Sequence, residues 1–309
     1  MSRKFDWVRT GARSSNASFL RQLANVDCLV TTWDSPFLDK HTVVNAPRLR
    51  IIAHCGGEVK SRFAASLFNK LTITNAADPM GRATAEMGAA FLLYCARDVD
   101  RYREALRNPT NRAYSEAHLR GTNEYLVHRK VAMIGFGRVG RALVSLTRGF
   151  DLRWTIYDPY APRSLASQYG VVFSTLPTLL RGADLLVLTA ALTDRTRGLL
   201  DRSRLAMLPD GAAVINIARG GLIDLAALTR EVRRKRLRCA LDVTDPDEPL
   251  PLRHPLRNLP GAIVTPHIAG SGRRVRNEMA STVLDDLENF FQKKPVKNRV
   301  TRAMLQRMT

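Results

Sequence analysis

Lys130-Val131-Ala132-Met133-Ile134-Gly135-Phe136-Gly137-Arg138-Val139-Gly140 decides the reading of this chain. Lys130 to Ile134 reads as a buried strand, and Gly135 to Gly140 spells G-x-G-x-x-G. Behind the glycines, Val139, Ala142, Leu143 and Leu146 recur at helical spacing, which predicts a helix over 138–150. The first glycine makes the turn tight. The second lets a pyrophosphate approach the backbone, and the third lets helix and strand pack. The helix start adds unpaired N–H groups and the positive end of its dipole. The pattern alone is weak; following a strand and opening a helix, it points to a dinucleotide site. Asp158 closes the next strand, 23 residues beyond Gly135. A carboxylate there can accept from both ribose hydroxyls and repels a 2′-phosphate, which favours NAD over NADP. The blander reading, a glycine turn in a nucleotide-free domain beside a solvated Asp, leaves the common register of strand, glycines, helix and acid unexplained.

Outward from this unit the same alternation continues. Strand signals fall at 26–32, 47–53 and 71–74 on the N-terminal side, and at 152–157, 184–189, 212–217, 238–243 and 262–265 on the other. Residues 84–106 carry one long helical pattern, with no Gly or Pro after Gly88. Val275, Met279, Val283, Leu287 and Phe290 mark a final amphipathic helix whose acids Asp285, Asp286 and Glu288 can face water. Near-continuous apolar strands alternating with helices predict an α/β fold, a doubly wound parallel sheet covered on both faces.

Three later segments carry chemistry. Asn216-Ile217-Ala218-Arg219-Gly220-Gly221-Leu222-Ile223-Asp224 follows one strand, Leu241-Asp242-Val243-Thr244-Asp245-Pro246-Asp247-Glu248-Pro249 a second, and Thr265-Pro266-His267-Ile268-Ala269-Gly270 a third. Each sets a charged or titratable residue at the carboxyl end of a parallel strand, the edge where open α/β sheets bind ligands. An Arg, a carboxylate and a His at that edge, beside a dinucleotide, form a candidate hydride-transfer site.

In order and spacing these residues resemble the D-isomer-specific 2-hydroxyacid dehydrogenase family, from about Val26 to Asn298-Arg299-Val300. The resemblance implies a Rossmann cofactor domain at 84–269 and a smaller, flavodoxin-like α/β substrate domain at 1–83 and 270–309. It implies His267 as acid/base and Glu248 hydrogen-bonded to it, holding the ring and favouring the imidazolium. Arg219 would grip the substrate carboxylate and polarise its keto oxygen. Backbone N–H groups of Cys55, Gly56 and Gly57 would also meet the carboxylate. Gly135, Gly137, Arg138, Val139, Gly140, Asp158, Ile217, Ala218, Asp242, His267 and Gly270 would contact NAD, with Asp242 facing its nicotinamide end. A homodimer is implied, with 84–106 contributing to the contact. Family members usually place the Glu five residues after the strand Asp, and that position is Asp247 here. Glu248 is preferred because the Glu-Pro pair matches and its longer side chain reaches further. Thr189-Ala190-Ala191 stands where the family has His-x-Pro beside the cofactor, and Glu58 puts an acid in the carboxylate loop, with Lys60 and Arg62 near to offset it. Residues 1–25 give no strand signal where the family has a first strand and helix, which would leave an open sheet edge.

Length and composition set the frame. The 309 residues correspond to roughly two domains, and no apolar run approaches the roughly 18 residues of a membrane span. Cys28, Cys55, Cys95 and Cys239 are far apart and read as reduced thiols of a cytoplasmic protein. Arg3, Lys4, Arg9, Arg13, Ser14, Ser15 and Ser18 have a transit-like flavour, but Asp6 and the basicity of the whole chain argue against it. The net charge of +20 favours anionic partners without choosing among them. Basic runs such as Arg233-Arg234-Lys235-Arg236 lack interleaved aromatics, so they read as solvated surface and not as a nucleic-acid groove. The six histidines show no ligand spacing, so no metal site is expected. Two functions remain: an NAD-dependent oxidoreductase of a small 2-hydroxy or 2-keto acid, or a catalytically weak NAD(H)-binding regulatory or interaction protein on the same fold.

Overall fold

In the larger of two compact units, Gly81–Gly270, seven parallel strands form one sheet. They are β4 (Lys130–Ile134), β5 (Arg153–Tyr157), β6 (Val172–Phe173), β7 (Leu185–Leu188), β8 (Ala213–Asn216), β9 (Arg238–Leu241) and β10 (Ala262–Val264). Their order is β10-β9-β8-β7-β4-β5-β6. The chain reverses direction across the sheet at β4, so the switch point lies between β4 and β7, where such sheets bind nucleotides. The computed structural model of the chain describes residues 5–8, 16–107, 115, 118 and 125–308. Most of the positions with transit-like character lie outside them.

The strands are apolar on both faces because helices cover both. Ala132, Ile134, Leu186, Leu188 and Val214 join one core with Leu179 and Leu180 of the helix Leu176–Arg181 and Ala227, Leu228 and Val232 of Leu225–Arg233. Their alternates Val131, Met133, Leu185, Val187, Ala213 and Ile215 join the other, with Phe91 and Leu92 of Ala77–Ala96 and Leu143 and Val144 of Arg138–Leu146. The central strands β4, β7 and β8 thus feed two cores by their period of two.

The smaller unit, Met1–Met80 with Ser271–Thr309, holds β1 (Cys28–Thr31), β2 (Ile51–His54), β3 (Thr72–Asn75) and β11 (Arg299–Val300), in that order. The first three are parallel and β11 runs antiparallel to β3. Among the described residues no strand lies beyond β1, so it is the sheet edge. Phe5 and Trp7 pack in the cluster that holds Cys28 and Val30 of β1, and Phe5 meets Phe291 edge-on at 6.0 Å. The helix Arg273–Phe291 lays Met279, Val283 and Leu287 on Ile51 and Ala53 of β2.

Three expectations need correction. The helix read over 84–106 is two helices, Ala77–Ala96 and Val99–Leu106, broken where Asp98 takes φ 49°. Arg238 closes over the break, its Nη1 donating to both Cys95 O (2.8 Å) and Asp98 Oδ1 (2.9 Å). The helix read over 138–150 ends at Leu146, where Thr147 Oγ1 donates to Leu143 O (2.8 Å), and a short 3₁₀ turn follows. Asp286 does not face water: it is 1% exposed, and its Oδ1 accepts the N–H of Asn298 just before β11. No described helix is long and apolar enough to cross a membrane.

Candidate active site

At the carboxyl end of β4 the chain turns through Gly135, at φ 93°. A side chain there would run into the backbone of Ala190, so only glycine fits. A Cβ on Gly140 would come within 2.7 Å of Met133 Sδ. Gly137 is different, since a Cβ there would meet nothing within 4 Å. The protein's packing explains the first and third glycines, and the second opens onto space. Gly137 is also the N-cap of the helix Arg138–Leu146 and offers no side-chain cap, which suits an anion at the helix start. Gly137 and Arg138 are exposed and Val139 is half-buried. These features fit a pyrophosphate.

Asp158 ends β5 as expected and is fixed by its own loop. Its Oδ2 accepts the N–H of Phe136 (2.7 Å), and its Oδ1 those of Tyr160 (2.8 Å) and Ala161 (3.0 Å). A carboxylate has about four acceptor sites, so capacity for a ribose hydroxyl remains. Thr189 ties the altered loop to the glycine turn, its Oγ1 donating to Gly135 O at 2.6 Å.

The three chemical segments lie at the carboxyl ends of β8, β9 and β10. Asn216, fully buried, cages the turn before Arg219: its Oδ1 accepts Ala218 N–H (3.0 Å) and its Nδ2 donates to Arg219 O (2.9 Å). Arg219 is half-buried and its Nη1 donates to Ala218 O at 2.7 Å. Gly220 lies so close to the Thr244–Asp245 backbone that no Cβ fits, which interlocks the first two segments. Thr244 in turn shapes the acidic loop, its Oγ1 donating to Asp247 O (2.5 Å) and its N–H reaching Glu248 Oε1 (3.4 Å).

Glu248, and not Asp247, is the acid against the histidine. Its Oε2 lies 3.0 Å from His267 Nδ1. A carboxylate has no proton to give, so Nδ1 carries the hydrogen and Nε2 is the free ring nitrogen. His267 sits at φ 55° with its side chain 46% exposed. Ile217 is buried at the end of β8, and Ala218 and Gly270 are half-buried. Asp242 is buried and its carboxylate bonds to residues around His267.

In the smaller unit, the loop after β2 is drawn by its carbonyls. Ala76 N–H serves both His54 O (3.1 Å) and Gly56 O (2.9 Å), and Asn75 Nδ2 donates to Gly57 O (2.8 Å). Cys55 N–H is used by Thr31 O (2.8 Å), so it is not offered to a ligand. The N–H groups of Gly56 and Gly57 meet no acceptor among the described residues, an arrangement that suits a carboxylate. Glu58 is turned onto its own loop, accepting from Ser61 N–H (2.7 Å) and Ser61 Oγ (2.5 Å), with Arg62 Nε at 4.0 Å.

Sequence reading gave no role to Asn216, Thr244 and Thr265. Each is a small polar residue at a strand end, and position relative to the strand was the only signal. No group of three or more described His, Cys, Asp or Glu residues could hold a metal ion.

The family model for "D-isomer specific 2-hydroxyacid dehydrogenase, NAD binding domain" matches residues 89–269. The glyoxylate reductase of Pyrococcus horikoshii is 32% identical over 275 residues, covering 88% of this chain and 81% of that one. The D-3-phosphoglycerate dehydrogenase of Archaeoglobus fulgidus is 27% identical over 297 residues. That match covers 95% of this chain but 54% of the relative, so the chain spans about half of that protein's length. Among solved structures, the TT0316 protein of Thermus thermophilus has a TM-score of 0.74 at 30% identity, over 94% of this chain and 91% of that one.

Proposed function

Because the chain belongs to the D-isomer-specific 2-hydroxyacid dehydrogenase family, we propose that it interconverts a small 2-hydroxy acid and its 2-keto acid, with NAD as hydride carrier. The observation that carries this reading is the His267–Glu248 pair, 3.0 Å apart at the carboxyl edge of the sheet whose glycine turn fits a dinucleotide. When bound, the nicotinamide supplies or takes the hydride.

The chain's own residues do the rest. His267 Nε2 gives its proton to the keto oxygen in reduction and takes the hydroxyl proton in oxidation. Glu248 holds the ring through Nδ1 and leaves Nε2 free. Arg219 pairs with the substrate carboxylate and polarises the keto oxygen through a second N–H. In the smaller unit, the N–H groups of Gly56 and Gly57 suit a carboxylate. Asp158 favours NAD, because a 2′-phosphate beside a fixed carboxylate meets like charge. The reading also carries a homodimer, tested by sedimentation at micromolar protein.

The test is loss of NADH absorbance with a panel of 2-keto acids, run in parallel with NADPH. Glyoxylate, hydroxypyruvate, longer 2-keto acids and phosphorylated acids belong in the panel. Turnover with NADH and at least one acid is expected. His267→Ala should lower kcat by about 100-fold or more, and Arg219→Gln should raise KM for the acid. If parent and both variants turn over nothing while NADH still binds, the chain is an NAD(H)-binding regulatory protein and the proposal fails.

A further inference from the structure

Two loops that flank the glycine turn are joined by a side-chain hydrogen bond. In the larger sheet β5 and β7 lie on either side of β4, so the segments leaving their carboxyl ends stand on either side of the turn at Gly135. Arg195, in the segment after β7, donates from Nη1 to the hydroxyl of Tyr160, in the segment after β5, at 3.2 Å. The bond therefore spans the carboxyl end of β4, where the switch point of the sheet opens its crevice.

Both ends of the bond are held by their own loops. Tyr160 N–H donates to Asp158 Oδ1 (2.8 Å), which fixes its main chain beside the acid. Arg195 stands in a turn of its own. Thr196 N–H (3.0 Å) and Arg197 N–H (2.9 Å) both donate to Thr193 O, and Thr196 Oγ1 donates to Ala191 O (2.7 Å). Thr189 ties the base of that segment to Gly135. The two side chains stay in the open, Tyr160 at 52% exposed and Arg195 exposed as well. A hydrogen bond so placed adds little to the fold, since water competes for both groups. A phenol ring and a guanidinium are both planar, and both stack on flat aromatic groups. Here each is set on an ordered stem at the mouth of a ligand crevice.

We propose that Tyr160 and Arg195 form a clasp over the adenosine end of the dinucleotide, with the adenine held against the tyrosine ring and the guanidinium. The proposal rests on the dinucleotide reading of the site and adds two residues to the glycines and Asp158. Asp158 addresses the ribose hydroxyls, and the adenine is bonded to that same ribose, so the base falls near the residue two positions further on. The diphosphate gives a second reason for a cation at this mouth, since it brings negative charge into the crevice. Stacking takes a base by its face and does not read its edge, so the clasp sets affinity and retention of the dinucleotide.

Tyr160→Ala, Arg195→Ala, Tyr160→Phe and the double variant Tyr160→Phe with Arg195→Ala test it. Each is measured for melting temperature, for NADH affinity and release rate by fluorescence, and for affinity of ADP-ribose by calorimetry. The melting temperature should stay at the parent's, because both side chains are exposed. Tyr160→Ala should weaken NADH and ADP-ribose alike by about tenfold, and Arg195→Ala by about two- to fivefold, with NADH released faster in both. Tyr160→Phe keeps the ring and loses the bond, so adding it to Arg195→Ala should cost nothing further. An additive loss would mean two separate contacts and no clasp. Weakened NADH with ADP-ribose unchanged would overturn the placement at the adenosine end. A lowered melting temperature accompanying the loss would reduce the pair to a support for two loops. Tighter NADH with faster entry in Arg195→Ala would show that the bond bars the crevice, against the proposal. If the parent binds NADH and ADP-ribose and no variant differs from it, the clasp alone fails. If the parent binds neither, the dinucleotide reading fails, and the clasp with it.

Discussion

Gly137 is the glycine of the fingerprint that packing leaves unexplained. Alanine there meets no atom within 4 Å, and its backbone at φ −77° is open to any residue. Gly137→Ala should therefore change stability by no more than about 0.5 kcal/mol while weakening NADH roughly tenfold, about 1.4 kcal/mol. Gly135→Ala, at φ 93° and against Ala190, should instead lower the melting temperature sharply. Thermal melts and NADH titrations separate the two, and unaltered binding in Gly137→Ala would sink the pyrophosphate assignment. His54 offers a second test. It is fully buried with Nδ1 against Thr31 Oγ1 (2.9 Å) and Nε2 without a partner. Burial, and then the charge of Arg62, push its pKa down to about 4. The unfolded chain binds this proton near the ordinary value of 6.5, so between there and about 4 the unfolded state holds more protons and stability falls as pH falls. The gap corresponds to about 3 kcal/mol at most. His54→Gln should be less stable than the parent at neutral pH but lose less between pH 6.5 and 4. Parallel acid melts would refute the buried neutral ring.

The helix Arg273–Phe291 carries the opposite titration. Burial raises the pKa of Asp286, and Oδ2 has no hydrogen-bond partner. A raised carboxyl favours the folded state below its unfolded pKa and loses that contribution as pH rises through the folded value. Asp286→Asn should therefore stabilise the protein at neutral pH by about 1 kcal/mol, or 2–4 °C in melting temperature, with the gain shrinking toward pH 4. A variant equally stable at both ends would argue against a buried charge. Elements of this kind mark where sequence reading stopped. β7 and β8 were legible because all four residues of each are buried, giving an apolar run throughout β7 and over the first three residues of β8. The strands β6 and β11 are two residues long, too short to show any period. The break at Asp98 is bonded by Arg238, 140 positions away, and no local pattern reports a partner at that distance. Asp286 fell on the polar side by type, and only the chain end returning as β11 buries it. The Arg, Glu and His of the candidate site stand out in the sequence because each follows an apolar strand run. The bond between Asp242 and Thr265 was not readable, since it exists only once β9 and β10 lie side by side.

At the scale of the molecule, the excess of 48 basic over 28 acidic residues gives +20, spread along the whole chain. Many of these charges are partnered at the surface, as in Arg48–Asp27 and Arg274–Glu278, and contribute little to stability there. Their sum acts at a distance. A net positive field raises the local concentration of anions, and under the proposed function both the 2-keto acid and NADH are anions. The field is screened beyond about 10 Å at 0.1 M salt, whereas Arg219 in contact with a carboxylate is screened far less. Raising ionic strength should therefore increase KM for the acid and for NADH by about threefold and leave kcat unchanged, because kcat refers to the bound complex. Two salts with unlike anions separate screening from occupation of the carboxylate site: screening gives one curve against ionic strength, and competition gives two. A KM indifferent to salt would mean that the +20 serves something other than substrate capture, and that attraction of the substrate is local to Arg219.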